Sequence, residues 1–130
     1  MIEGRNDEQP GGIMEIDSQI IDNIGVIAFD GKMLGEPADS KRFESHLKDL
    51  INKRVSHIVL DLERVHRINS TGLAILITAT TLASQQGEAK VSLVGANDFI
   101  QGALTLTRLH QFFNFHNSLE EARASLTASL

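Results

Sequence analysis

The chain has 130 residues, 42% of them apolar, and a formal net charge of −5. That length suits one domain with a core large enough to fold alone, and no basic run exceeds Lys41-Arg42 or Lys53-Arg54, which disfavours nucleic acid as a partner. There is no cysteine, which excludes disulfides, thiolate metal sites and a cysteine nucleophile.

Residues 1–12 are polar and glycine-rich and close on Pro10-Gly11-Gly12, which predicts a disordered leader ahead of a single domain at 13–130. Ile2-Glu3-Gly4-Arg5 also spells a common engineered protease site, so part of the leader has the look of an addition. Residues 13–16 with Ile20-Ile21 read as a first strand, Asp22-Asn23 as its turn, and 24–29 as a second strand, together a β-hairpin. Asp30-Gly31 reads as the end of that strand. A helix over about 38–52 follows, with Pro37 at its start and Phe43, Leu47, Leu50 and Ile51 on one stripe. The continuous apolar run at 57–62 predicts a central strand buried on both faces.

The next helix runs from Thr71 to a stop at Gly87. Residues 90–94 form a short strand, and Asn97 or Asp98 caps a helix reaching about Leu106. Residues 112–115 read as an edge strand with its phenylalanines toward the core. Ser118-Leu119-Glu120-Glu121 has the spacing of a capping box and opens a helix through about Ala128. The order β-β-α-β-α-β-α-β-α predicts an α/β fold, a mixed sheet covered by about four helices.

The 19 residues from Ile68 to Gln86 carry no charge, which nearly reaches spanning length. They include Asn69, Ser70, Thr71, Thr78, Thr80, Thr81, Ser84 and Gln85, too polar for a lipid-facing helix. Direct membrane insertion is not expected, and the cytoplasm suits a chain without cysteine.

Function concentrates on the run from Ile58 to Leu76, where a buried strand gives way to a helix through Asn69-Ser70-Thr71-Gly72. A helix start has unpaired N–H groups and partial positive charge, and a phosphate there adds nearly two negative charges. Ser70 is therefore a candidate switch. The plain alternative is that Ser70 is only the N-cap of the helix. Gly72 in the first turn either admits a partner close to Ser70 or packs tightly on a neighbouring strand. Leu73, Leu76, Ile77 and Leu82 are expected inward, with Ile75 and Ala79 at the flanks. That leaves Ala74, Thr78, Thr81 and Gln85 as an uncharged face continuing from Ser70, suited to a docked partner or to a second core layer. Asp61, at the expected carboxyl end of the central strand, either supports the Ser70 hydroxyl or caps the loop.

Catalysis is not expected. Asp61, His66 and Ser70 supply the residue types of a hydrolytic triad, but no G-x-S-x-G elbow surrounds Ser70, and His66 reads as a surface residue in a polar loop. His46, His57, His110 and His116 lack metal-ligand spacing, and no glycine-rich phosphate loop follows a strand. No metal or cofactor is implied.

Leu60-Asp61-Leu62 followed by Ile68-Asn69-Ser70-Thr71-Gly72-Leu73 resembles the signature of the STAS domain, the sulphate-transporter and anti-sigma-factor-antagonist family. The likeness continues through Gln86-Gly87, Val91 to Gly95, Leu106-Thr107-Arg108-Leu109 and Ser118 to Ala122, and covers nearly everything from Met14 onward. It implies the STAS mixed sheet. It also implies an anti-sigma factor antagonist that binds, when unphosphorylated, an anti-sigma factor that is itself a serine kinase of the histidine-kinase ATPase fold. A sigma factor is thereby freed. Phosphorylation at Ser70, with Thr71 the alternative, ends the binding, and a metal-dependent serine phosphatase restores it. Asn69, Ser70, Thr71, Gly72, Ala74, Thr78 and Thr81 are the implied partner face.

The pattern departs from the family in three places. Asn69 stands where many antagonists have Asp, Leu34 falls near where kinase-regulated relatives carry an acid, and Arg108 replaces a frequent glycine. Some stand-alone members of the family are docking subunits of ABC-type lipid transporters, and a third reading is a scaffold within a signalling assembly that responds to a small ligand or nucleotide. These are the alternative functions.

Overall fold

The computed structural model describes residues 14–86 and 89–128; the predicted leader, Ile13 and the predicted stop at Gly87 lie outside them. The elements are β1 (Glu15–Ile21), β2 (Ile24–Leu34), α1 (Pro37–Asn52), β3 (His57–Ile68), α2 (Ser70–Gln86), β4 (Lys90–Val94), α3 (Asp98–Leu106), a 3-10 helix (Leu109–Phe112), β5 (Asn114–His116) and α4 (Leu119–Ala128). The strands form one sheet in chain order, with β1 antiparallel to β2 and every later pair parallel. This is the mixed α/β sheet with an N-terminal hairpin that the alternation predicts.

The hairpin closes where the polar pair requires. Asp22 and Asn23 both adopt left-handed φ, 51° and 65°, as a tight two-residue turn between twisted strands demands. On one face of the sheet, Ile27, Phe29, Ile58, Leu60, Leu62 and Leu93 meet α1, α2 and α3 in the main core. Phe29 stacks on Phe43 of α1, ring centres 5.7 Å apart. On the other face, α4 lays Ala122 and Leu126 over Ile24, Val26, Val59 and Val94. Burial on both faces explains why β3 begins as an unbroken apolar run.

Two strand ends differ from expectation. Asp30-Gly31 does not end β2, which continues to Leu34, and β3 continues past Leu62 to Ile68. Ala28 pairs with Asp61 but Asp30 pairs with Arg64, so Leu62 and Glu63 together oppose Phe29 in a β-bulge. Beyond it the pair continues through Gly31 with Val65, Met33 with Arg67 and Leu34 with Ile68. Backbone pairing and three buried side chains, Leu34, Val65 and Ile68, hold this extension although its other residues are mostly polar and exposed. His66 accordingly lies in a strand.

The edge strand differs too. Phe112 belongs to the 3-10 helix and is 55% exposed, Phe115 is 37% exposed, and Phe113 is buried. The 3-10 turn consumes the residues before β5 and leaves one inward phenylalanine of the three. Ser118 accepts the Glu121 N–H at 3.1 Å, while the Glu121 carboxylate reaches back to the N–H of Asn117 at 2.9 Å.

Candidate functional site

The extended β2–β3 pair delivers the chain to the start of α2. The cap there is Asn69, not Ser70. Its side-chain oxygen accepts the Gly72 N–H at 2.9 Å, its carbonyl accepts the Leu73 N–H at 2.9 Å, and its own N–H donates to the Leu34 carbonyl at 3.3 Å. Asn69 Nδ2 donates to the Gly35 carbonyl at 3.4 Å, which ties the helix start to the β2–α1 turn. That turn is fixed by Asp39, 1% exposed, whose Oδ2 accepts the N–H groups of Glu36 at 2.9 Å and Gly35 at 3.2 Å. Gly35 has φ +151°, and a Cβ there would lie 1.7 Å from Asn69 Oδ1.

With Asn69 as cap, Ser70 is the first helical residue. It is exposed, and among the described residues no group hydrogen-bonds its hydroxyl. Thr71 is half-buried. Gly72 is buried, and a Cβ on it would lie 2.2 Å from the Leu34 carbonyl oxygen. The glycine therefore lets α2 close on the end of β2.

Along α2, Ile75, Leu76, Ala79 and Ala83 are buried, while Leu73, Ile77 and Leu82 are partly buried against the core. Ala74, Thr81 and Gln85 are exposed and Thr78 half-exposed, so this face is a surface and not a second core layer. Thr78 donates to the Ala74 carbonyl at 2.9 Å and Thr81 to the Ile77 carbonyl at 3.2 Å. Bonding back to the helix leaves a neutral strip whose hydroxyl protons are already used. α2 has no acid in its first turn and no base in its last.

The structure does not bring Asp61 to this site. Its Oδ1 accepts the Glu63 N–H at 3.0 Å beside the bulge, and seven further strand residues carry β3 roughly 20 Å onward before Asn69. Asp61 lies instead beside Glu15, Asp17, Asp30 and Arg64. Asp61, His66 and Ser70 do not form a triad. Among the described residues, no group of three or more His, Asp or Glu side chains is placed to hold a metal ion, and no helix is long and apolar enough to cross a membrane.

The STAS domain model matches residues 15–122, which take in the sheet, α1 to α3 and the start of α4. The chain belongs to the STAS domain family. Solved structures share its fold at low identity. An anti-sigma factor antagonist from Mycobacterium paratuberculosis superposes with a TM-score of 0.73 at 18% identity, over 87% of this chain and 93% of that one. The Bacillus cell fate determinant SpoIIAA in its phosphorylated form gives 0.63 at 15% identity, over 88% and 99%. A sulfate transporter family protein from Wolinella succinogenes gives 0.69 at 18%, over 86% and 93%. No curated protein matches the chain.

In this STAS domain the Asn69-Ser70-Thr71-Gly72 run singled out in the sequence is the start of α2, and Gly35 and Asp39, which the sequence did not single out, hold that start in place. Glu36 and Asp39, three apart around Pro37, carry a helix-start spacing that points to part of this frame.

Proposed function

We propose that this STAS protein is an anti-sigma factor antagonist, a regulator without chemistry of its own that acts in the cytoplasm. Its unphosphorylated form binds an anti-sigma factor that is also a serine kinase of the histidine-kinase ATPase fold, and so frees a sigma factor. Phosphate on Ser70 ends that binding, and a serine phosphatase reverses it. The observation that carries this reading is the exposed Ser70 hydroxyl: Asn69 does the capping, so the serine is left free to be modified at the head of a neutral strip. The docking face is Asn69, Ser70 and Thr71 with Ala74, Thr78 and Thr81, and Gly72 shapes it from beneath. A dianion at the head of such a strip loses its hydration on docking, and α2 itself carries no cation to offset that loss.

The test is affinity purification from the native cell with wild-type, Ser70→Ala and Ser70→Glu baits, reading partners by mass spectrometry. A histidine-kinase-type ATPase should be recovered with the first two and lost with the third. The sulfate transporter family neighbour supports a second reading, a STAS domain that docks on membrane-transporter components. Recovery of transporter subunits with all three baits would establish that role and remove the sigma-factor cycle.

A further inference from the structure

The end of β3 that leads into Ser70 carries a cation held by a ring. Arg67, three residues before Ser70, is exposed, with its guanidinium carbon 5.4 Å from the centre of the Phe99 ring. Among the described residues no carboxylate pairs with it, whereas Arg42 and Arg123 pair with Asp39 and Asp22. Phe99 lies in the first turn of α3 and is 49% exposed.

Both neighbouring helix starts are tied to this strand end. Asn97 caps α3 by accepting the Ile100 N–H at 2.9 Å, and its Nδ2 donates to the His66 carbonyl at 3.0 Å. Asn69 caps α2 two residues beyond Arg67. Arg67 therefore stands between the starts of α2 and α3. Its Cα is at most about 10 Å from that of Ser70, the span of three extended residues. No lysine or arginine occurs from Ser70 to Ala89, so α2 supplies no cation of its own.

We propose that Arg67 is the counter-charge for phosphate on Ser70, and that it leaves the Phe99 ring when the phosphate arrives. The inference rests on Ser70 being the phosphorylated residue. A phosphoserine presents three acceptor oxygens and nearly two negative charges, which suit the planar fork of a guanidinium. An exposed cation–π contact is the weaker of the two interactions. Modification of α2 thus also uncovers an aromatic ring on α3, and a partner spanning both helices meets two changes.

The test places phosphoserine at position 70 during translation in the full chain, so no kinase need recognise the protein. Titration by 31P NMR reads the second phosphate pKa, with amide spectra confirming the fold of each variant. Arg67→Gln should raise that pKa by about half a unit above the wild-type value, with Arg67→Lys between the two. The Phe99 ring resonances should move on phosphorylation in the wild type and stay in Arg67→Gln. Equal phosphate pKa values in the wild type and Arg67→Gln overturn the proposal. If native partners ignore phosphate on Ser70, the antagonist reading fails while this titration still decides the role of Arg67.

Discussion

The side-chain oxygen of Asn69 lies 2.9 Å from the amide nitrogen of Gly72 and closes the first turn of α2. This single bond separates two roles that one serine would otherwise combine. Asn69→Ala should cost about 0.5–2 kcal/mol of stability, as loss of a cap does. Asn69→Asp keeps the acceptor and should stay within about 0.5 kcal/mol of the wild type, although it gives up the bond to the Gly35 carbonyl. Urea denaturation of both variants checks this. Equal losses would mean that the amide donor, not the cap, holds the turn.

Gly72 and Gly102 both sit in helices, yet they should respond to alanine with opposite sign. A Cβ at Gly72 meets the Leu34 carbonyl oxygen at 2.2 Å, a backbone atom that cannot step aside. Gly72→Ala should therefore destabilise by about 1–3 kcal/mol. A Cβ at Gly102 meets nothing within 4 Å. Gly102→Ala should stabilise by up to about 1 kcal/mol, the helix-propensity difference alone. Thermal unfolding of the pair decides it; stabilisation by both would show that α2 can shift away from β2.

What the sequence made legible is what local chemistry dictates. Asp22-Asn23 is a turn because its residues tolerate left-handed backbone, and the runs at Ile24 and Ile58 are strands because both faces are covered. The extension of β2 and β3 was hidden. Its buried β3 residues Val65 and Ile68 follow Leu62 at every third position across a bulge, so the two-residue alternation of a strand is lost. At the site, Asn69 and Ser70 are both good caps in sequence, and only the backbone path determines which oxygen meets the Gly72 N–H. Asp61 was placed near Ser70 because β3 was expected to end at Leu62. The contact between Arg67 and Phe99 joins elements 32 residues apart and leaves no local trace.

Arg108 adopts φ 62° and ψ 20° between α3 and the 3-10 helix, a left-handed backbone that glycine reaches at no steric cost. The resemblance to the family signature places a frequent glycine at this position. Arg108→Gly should stabilise the protein by about 0.5–1 kcal/mol, since relief of the left-handed penalty outweighs the added freedom of the unfolded chain. The bond from the Gln111 side-chain Nε2 to the carbonyl of residue 108, 3.0 Å, uses only the backbone of that residue and should survive. A rise in urea midpoint without a change of slope is the expected result. A fall would mean that the arginine side chain holds something more valuable than the strain it causes.

His57 gives the fold a pH dependence of known sign. Burial at the start of β3 pushes its pKa below the ordinary 6.5, and the Lys90 ammonium, in register with it on β4, pushes the same way. The folded chain therefore binds this proton more weakly than the unfolded chain does. The contribution to stability is intact above 6.5 and lost as pH falls through the lowered folded value. Urea midpoints should decline as pH is lowered from about 7 to about 5, and less steeply in His57→Gln, which has no proton to gain there. Lys90→Gln should recover only part of that difference, because burial is the larger cause and remains. Parallel declines in the wild type and His57→Gln would assign the acid sensitivity to other groups.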